Sequence, residues 1–132
     1  MDHLGGCHCG AIRYSTAGDA LHHALCHCGD CRGASGAPMV GWIAFRTEQV
    51  SISGQPVSYA SSEHGRRLFC GTCGTGLFYT NEQMLPGLTD VQSATLDDAA
   101  AHPPGAQIQV AERLPWLVTL DALPTFDRFP GN

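Results

Sequence analysis

The chain contains seven cysteines, and all of them fall in three short clusters separated by long stretches without cysteine. The clusters are Cys7-His8-Cys9-Gly10, Cys26-His27-Cys28-Gly29-Asp30-Cys31 and Cys70-Gly71-Thr72-Cys73-Gly74. An odd number of cysteines cannot all pair as disulfides, and thiols two or three residues apart are typical of metal sites. The pattern therefore predicts metal binding rather than a disulfide framework.

Counting ligands divides the cysteines into two zinc sites. A structural zinc is closed by four protein ligands, whereas a catalytic zinc commonly has three and one open position. The first and third clusters each supply two thiols, and the second cluster supplies three. We therefore predict a structural four-cysteine zinc site made of Cys7, Cys9, Cys70 and Cys73, and a catalytic three-cysteine zinc site made of Cys26, Cys28 and Cys31.

Two other interpretations of the cysteines remain open at this point. Cys28 and Cys31 can join Cys70 and Cys73 in an ordinary zinc ribbon, which leaves three widely separated cysteines without a common site. Cys28-x-x-Cys31 also has the spacing of a redox pair, but it lacks the strand-then-helix context of a thioredoxin-like motif. The division into four and three is favoured because it uses every cysteine.

Composition and charge restrict the class of protein. An apolar fraction of 43% with a charged fraction of 14% excludes a disordered charged tail. The net charge is −5 and the seven basic residues, all arginine, are scattered, so we expect no nucleic-acid partner. No apolar run approaches 18 residues and the N-terminus does not read as a signal peptide, so we expect no membrane partner and a cytoplasmic location.

Short apolar runs between turn signals predict an all-β fold. Sixteen glycines and eight prolines in 132 residues favour many turns and short elements. The predicted strands are residues 11–15, 20–25, 39–45, 50–53, 57–60, 67–69, 76–80, 92–96 and 108–111. Residues 33–38 read as a loop, and the apolar, proline-rich residues 114–126 read as a segment packed over the core. We expect residues 1–132 to form one domain.

The order of these motifs resembles the glutathione-dependent formaldehyde-activating enzyme family, also called the centromere-protein-V family. The resemblance is carried by the three cysteine clusters and by four further segments. These segments are Gly36-Ala37-Pro38, Thr95-Leu96-Asp97-Asp98, Pro115-Trp116 and Leu123-Pro124-Thr125-Phe126. The resemblance implies an Mss4-like, zinc-containing β-sandwich of short antiparallel strands. It also implies that the four-cysteine set holds a structural zinc and the three-cysteine set a catalytic one.

The same resemblance implies a carbon–sulfur lyase that acts on glutathione, or a related thiol, and a small aldehyde such as formaldehyde. The alternative is a zinc-stabilised binding or interaction module without catalysis, because the implied fold hosts such proteins too. An intact three-cysteine set favours the enzyme, since an interaction module needs only the closed site.

Several other residues are candidates for a supporting role. His27 or Asp30 can shuttle a proton, although we expect His27 to face solvent and Asp30 can instead cap the turn. The backbone N–H groups of Gly29 and Gly33, or the Arg32 side chain, can offset thiolate charge.

A few more positions carry expectations of their own. The adjacent Arg66 and Arg67 can bind a carboxylate, but a solvated strand end is the simpler expectation. Trp42 and Trp116 are expected in the core. Gln107 stands where the family often has histidine, and we assign it no role.

Overall fold

A computed structural model describes residues 2–131, which form ten short strands and one short α-helix. The strands are β1 His3–Gly6, β2 Arg13–Thr16, β3 His22–Cys26, β4 Val40–Arg46, β5 Val50–Ser53, β6 Val57–Ala60, β7 Gly65–Phe69, β8 Gly76–Asn81, β9 Leu88–Gln92 and β10 Ala106–Ile108. The helix α1 spans Gly29–Ser35. Short 3-10 turns lie at Thr47–Gln49, Ser93–Thr95, Ala99–Ala101, Val110–Glu112 and Pro115–Ala122.

The strands form two sheets. One has three strands in the order β1-β2-β5, and the other has seven in the order β10-β3-β4-β9-β8-β7-β6. Every paired neighbour runs antiparallel except β10 and β3, which are parallel. The all-β prediction is confirmed, with this parallel edge as the exception to its antiparallel pairing.

The inner faces of the two sheets pack against each other and form the main core. Tyr14 of β2 meets Phe78 of β8 edge to face, with ring centroids 5.3 Å apart. Ile43 and Phe45 of β4 and Val91 of β9 are buried in the same cluster. Alternation along each strand sends these side chains inward, which is the arrangement of a β-sandwich.

Strand β4 is buried on both faces, and this property positions the candidate site. Ile43 and Phe45 point into the main core, while Val40 and Trp42 belong to a second buried cluster with Cys26 and Cys31. Because successive side chains of a strand alternate, this second cluster lies on the opposite face of the large sheet. It explains why residues 39–45 read as a nearly continuous apolar run.

The structure adds the strand β1 His3–Gly6, which the sequence analysis does not predict, and it differs from the prediction at three further elements. Residues 33–35 end the helix α1 rather than form a loop, because the left-handed Gly36 (φ 72°) closes the helix and donates its N–H to the Arg32 carbonyl. Residues 92–96 are not a strand: β9 ends at Gln92, and the 3-10 turn Ser93–Thr95 follows. The last strand is Ala106–Ile108 instead of 108–111.

The prediction that the C-terminal segment packs over the core is wrong. Trp116 is 53% exposed and Phe126 57% exposed. Leu114 and Leu117 are half-buried, but most of the apolar side chains of this segment are exposed. Trp42, in contrast, is buried as expected, with 5% of its surface exposed. Within residues 2–131, no helix is long and apolar enough to cross a membrane.

Candidate metal centres

The four cysteines of the first and third clusters come together at the tips of two hairpins. Cys7 and Cys9 lie in the turn between β1 and β2, and Cys70 and Cys73 lie in the turn between β7 and β8. All four Sγ atoms lie within 4.8 Å of one another. Two hairpins that are distant in sequence are thus joined at one cluster that can hold a metal ion.

Backbone hydrogen bonds in both turns point at the sulfur atoms. The N–H of Ile12 donates to Cys7 Sγ at 3.2 Å, and the N–H of Cys73 donates to Cys70 Sγ at 3.4 Å. A hydrogen bond from the Thr75 hydroxyl lowers the pKa of the exposed Cys73 thiol to about 5. These donors favour the thiolate form that metal binding requires.

The three cysteines of the middle cluster converge at the junction of β3 and α1. Cys26 ends β3, Cys28 precedes the helix and Cys31 lies in its first turn. The three Sγ atoms lie within 4.8 Å of one another. The Cys28 thiol caps the helix by accepting a hydrogen bond from the Cys31 N–H at 3.2 Å, so the fold itself orients this sulfur.

The three thiols differ in how readily they ionise. Burial raises the pKa of Cys26 to about 12, and burial is also the main cause that raises the pKa of Cys31. Burial acts on Cys28 in the same direction, but hydrogen bonds from the Cys31 side chain and backbone outweigh it and lower the pKa of Cys28. Three thiols this close together, two of them buried, cannot all ionise without a neighbouring positive charge. A bound cation would relieve this conflict, so the cluster fits a metal ion.

An arginine and two aromatic residues lie beside the three-cysteine cluster. Arg67 of β7 places Nη2 3.9 Å from Cys31 Sγ, and its guanidinium carbon lies 4.9 Å from the centre of the Tyr79 ring. Arg67 and Tyr79 are direct cross-strand partners, which explains the stacking. The Trp42 side chain donates a hydrogen bond to Cys31 and lowers the pKa of that thiol, against the larger effect of burial.

The two adjacent arginines have different roles. Alternation along β7 separates their side chains. Arg66 Nη1 donates to the backbone carbonyls of Ser62, Glu63 and Gly65, so it stabilises the turn between β6 and β7. Arg67 is not the solvated strand end that the sequence suggests, because its guanidinium lies against Tyr79 and Cys31.

A groove runs between α1 and strands β6 and β7, and Arg67 divides it into two cavities. The larger has a volume of about 370 Å³ and is lined by Trp42, Tyr59, Phe69 and the helix residues Ala34 and Ser35. The smaller has a volume of about 300 Å³ and is lined by Gly29, Asp30, Ser61 and Ser62. Arg67, Tyr59 and Ala34 line both cavities, so the two adjoin at the guanidinium next to Cys31.

Three supporting residues are placed differently from the sequence expectation. His27 is buried rather than solvent-facing, and its Nε2–H donates to Gln107 Oε1 at 2.8 Å. Arg32 Nη1 donates to the backbone carbonyls of His27 and Glu112, so this side chain links the start of α1 to the 3-10 turn at Val110–Glu112. Asp30 is exposed at the smaller cavity, while Cys28 provides the helix cap.

Sequence reasoning missed the environment of the three thiols more than the thiols themselves. Tyr79 and Tyr59 were read only as strand residues. No motif marks them, because their position depends on the register that pairs both with Arg67 across β6, β7 and β8. Gln107 departs from the family pattern, and its side chain accepts a hydrogen bond from His27. This bond connects β10 to the segment that precedes α1.

Comparison with known proteins identifies the family. The family model described as glutathione-dependent formaldehyde-activating enzyme matches residues 2–112. The chain belongs to this family. The four-cysteine set and the three-cysteine set both fall inside the matched region, and each can hold a metal ion.

Two individual proteins are similar to this family member. An uncharacterized lyase of Schizosaccharomyces pombe is 33% identical over 82 residues, which cover 61% of this chain and 60% of the relative. The crystal structure of a Rhodobacter sphaeroides protein matches with a TM-score of 0.58 and 20% identity over 79% of this chain and 98% of that one. At that identity the second likeness concerns the fold alone.

Proposed function

We propose that this protein is a zinc-dependent carbon–sulfur lyase that interconverts a glutathione-type thiol and a small aldehyde with their S-(hydroxyalkyl) adduct. The observation that carries the proposal is the convergence of Cys26, Cys28 and Cys31 beside a groove that contains Arg67. The family membership supports the class of thiol and aldehyde. The name lyase of the fission-yeast relative supports the type of reaction, although the match spans only part of that relative.

The sulfur geometry supports zinc as the ion at both sites. Four sulfurs placed about 2.3 Å from a tetrahedral zinc lie about 3.8 Å from one another. The Cys7–Cys9 and Cys9–Cys70 sulfur pairs are each 3.7 Å apart. The Cys26–Cys31 pair has the same separation of 3.7 Å. We assign the four-cysteine set to a structural zinc and the three-cysteine set to a catalytic one.

When bound by three thiolates, zinc would offer one open coordination position and would lower the pKa of a thiol placed there. The protein's own groups then act on the substrate. Arg67 lies close enough to Cys31 to oppose the negative charge that thiolates gather at this site. The groove holds thiol and aldehyde together, which converts an encounter in solution into a reaction between neighbours.

The first test is native mass spectrometry of reductively purified protein, with and without glutathione. We expect two zinc ions per chain and a retained glutathione. The Cys28→Ser variant should keep one zinc, keep the fold and lose glutathione and turnover of formaldehyde. Circular dichroism of this variant serves as the folding control.

The contrary result is equally clear. One zinc per chain, with no retained glutathione and no acceleration of adduct formation, would refute the proposal. Such a result would favour the alternative of a zinc-stabilised binding module, in which only the four-cysteine site carries metal.

A further inference from the structure

The two cavities of the groove differ in chemistry. The wall of the larger one is mostly apolar and includes four aromatic side chains, Trp42, Tyr59, Phe69 and Phe78, together with Ala34 of α1. The wall of the smaller one exposes more polar than apolar surface: it includes the polar groups of Asp30, Ser61 and Ser62, together with Arg67 and the tyrosines Tyr59 and Tyr79. Both cavities meet at Arg67, whose Nη2 lies 3.9 Å from Cys31 Sγ. A molecule that reacts next to the cluster can therefore extend in two directions, one apolar and one polar.

Formaldehyde does not need the larger cavity. Its two heavy atoms occupy a small fraction of about 370 Å³, and they carry no apolar group to place against aromatic walls. A peptide-like thiol such as glutathione is strongly charged and hydrated. Moving its charged groups against aromatic walls is unfavourable unless they find partners, so it fits the smaller, polar cavity better.

We infer that the carbonyl substrate of this protein is an aldehyde with an extended apolar substituent, held in the larger cavity while the thiol occupies the smaller one. This inference rests on the proposed function and specifies its substrate class. The reaction balances without an oxidant or reductant. The thiol sulfur forms a bond to the carbonyl carbon, the C=O π electrons move to oxygen, and that oxygen takes the proton released by the thiol.

Binding of S-alkylglutathiones tests the inference without turnover. These thioethers cannot become thiolates, so their affinity reports how well the groove accommodates the alkyl group. Isothermal titration should show binding that strengthens from S-methyl- to S-hexylglutathione, by up to about fourfold per buried methylene. Phe69→Ala should flatten this dependence. Asp30→Asn alters a residue that lines the smaller cavity and not the larger, so the dependence on alkyl length should keep the same slope even if the overall affinity changes. Circular dichroism and zinc content check that both variants are folded and loaded.

A kinetic series provides the second arm. Propanal to hexanal have similar carbonyl reactivity, so kcat/KM for adduct formation with glutathione should rise with chain length and parallel the binding slope. A flat or falling series in both experiments, with formaldehyde still accepted, would overturn the inference and leave the proposed function standing. Absence of glutathione binding and of any aldehyde turnover would instead refute the proposed function itself.

A separate observation concerns the C-terminal arm, which we define as residues 113–131. The chain exposes 8110 Å² of accessible surface, whereas a globular monomer of its mass, 14.0 kDa, exposes about 6,700 Å². The excess is about 1,400 Å², and a stable protein interface buries about 800 Å² on each partner. Large apolar side chains of the arm are exposed, namely Trp116 at 53%, Val118 at 62%, Leu120 at 42%, Leu123 at 57%, Phe126 at 57% and Phe129 at 77%.

We propose that the arm packs against a second copy of this chain and forms a homodimer. The excess surface is sufficient for such an interface, and the exposed apolar residues are concentrated in the arm, as expected for a surface that is covered in the assembly. A second copy is the partner that is always present at the same concentration as the arm. The three-cysteine cluster lies within one chain, so this proposal is independent of the substrate.

Sedimentation equilibrium at up to about 100 µM chain is the test, since a stable dimer forms well below that concentration. We expect twice the mass of 14.0 kDa for the unmodified protein and a monomer for the double variant Trp116→Asp, Phe126→Asp. Met84→Asp is the matched control, because Met84 is 73% exposed but lies outside the arm. A monomeric unmodified protein, or a double variant that remains dimeric, would overturn the proposal. Loss of the dimer in Met84→Asp would do so as well, by placing the interface elsewhere.

Discussion

Cys73→Ser is expected to destabilise the protein about twice as much as Cys28→Ser, although each variant removes one thiol from a metal cluster. The difference follows from what each cluster connects. The four-cysteine cluster joins residues 61 positions apart, Cys9 and Cys70, whereas the ends of the three-cysteine cluster, Cys26 and Cys31, are only five apart. A cross-link that closes a longer loop removes more conformational entropy from the unfolded chain.

The magnitudes come from loop length. Treated as a chain cross-link, the long loop contributes about 4 kcal/mol to the free energy of unfolding and the short one about 2 kcal/mol. For a chain of this size, 1 kcal/mol corresponds to about 4 °C in Tm. Loss of metal from the four-cysteine site should therefore lower Tm by about 16 °C. Loss from the three-cysteine site should lower it by about 8 °C at most.

The two variants are well matched in other respects. Cys73 is exposed, so its replacement creates no cavity. Cys28 caps α1 by accepting from the Cys31 N–H, and serine is a good acceptor at that position, so the helix keeps its cap. Thermal unfolding followed by circular dichroism, with zinc content measured on the same samples, checks the prediction. Equal losses of Tm in the two variants, each with one ion lost, would refute the loop argument and would indicate that both clusters are structural.

Three further predictions concern individual residues. Gly5→Ala should lower the free energy of unfolding, measured in urea, by about 3 kcal/mol, because an added Cβ would overlap the Tyr14 ring. Burial raises the pKa of Asp90, so folding favours the protonated carboxyl. The resulting stabilisation is fully present below the unfolded pKa of about 3.9 and is lost as pH rises through the folded pKa. Asp90→Asn should therefore raise the free energy of unfolding at pH 7, and the gain should shrink toward pH 4; a constant gain would contradict this sign. Arg67→Lys should weaken glutathione binding in titration calorimetry with little change in Tm, because lysine cannot stack on Tyr79 in the same way; unchanged affinity would exclude a role for Arg67 in holding the thiol.

The grouping of the cysteines was predictable because it depends on counting. Each cluster is short enough to converge locally, and four ligands close a zinc site, so the assignment of seven thiols had few solutions. The structure brings together the same four and the same three thiols that the spacing predicts. Their role as zinc ligands stays a prediction until the ions are measured.

The helix α1 was not predictable from composition. Residues 33–36 are glycine, alanine, serine and glycine, which read as a loop. The segment is helical because its ends are fixed: Cys28 caps the start, and Gly36 adopts the left-handed conformation at the end. One of these determinants is a candidate metal ligand, so the local structure and the site form together. Propensity alone carries no information about such a coupling.

Strand register, which decides the neighbours of Arg67, is not encoded in any single segment of the sequence. Arg67 reads as part of a solvated Arg-Arg pair until β7 is paired with β8, which places Tyr79 directly beside it. The same pairing aligns Tyr59 of β6 on the other side. Residues from three strands thus line one groove, and no spacing within a single segment indicates this. The prediction for the C-terminal arm is wrong for a related reason, since apolar composition favours burial but does not specify against which surface.

Strand β4 connects the stability of the fold to the chemistry of the site. Its inward side chains, Ile43 and Phe45, belong to the core between the sheets, and its outward ones, Val40 and Trp42, pack against Cys26 and Cys31. The three-cysteine cluster is therefore positioned by a strand that the main core already fixes, whereas the four-cysteine cluster joins two hairpins, and its Cys7 and Cys70 are themselves part of the main core. A site of the first kind can change its ligands while the framework stays in place, as an open catalytic centre requires. A site of the second kind cannot, and this difference supports assigning exchangeable chemistry to Cys26, Cys28 and Cys31.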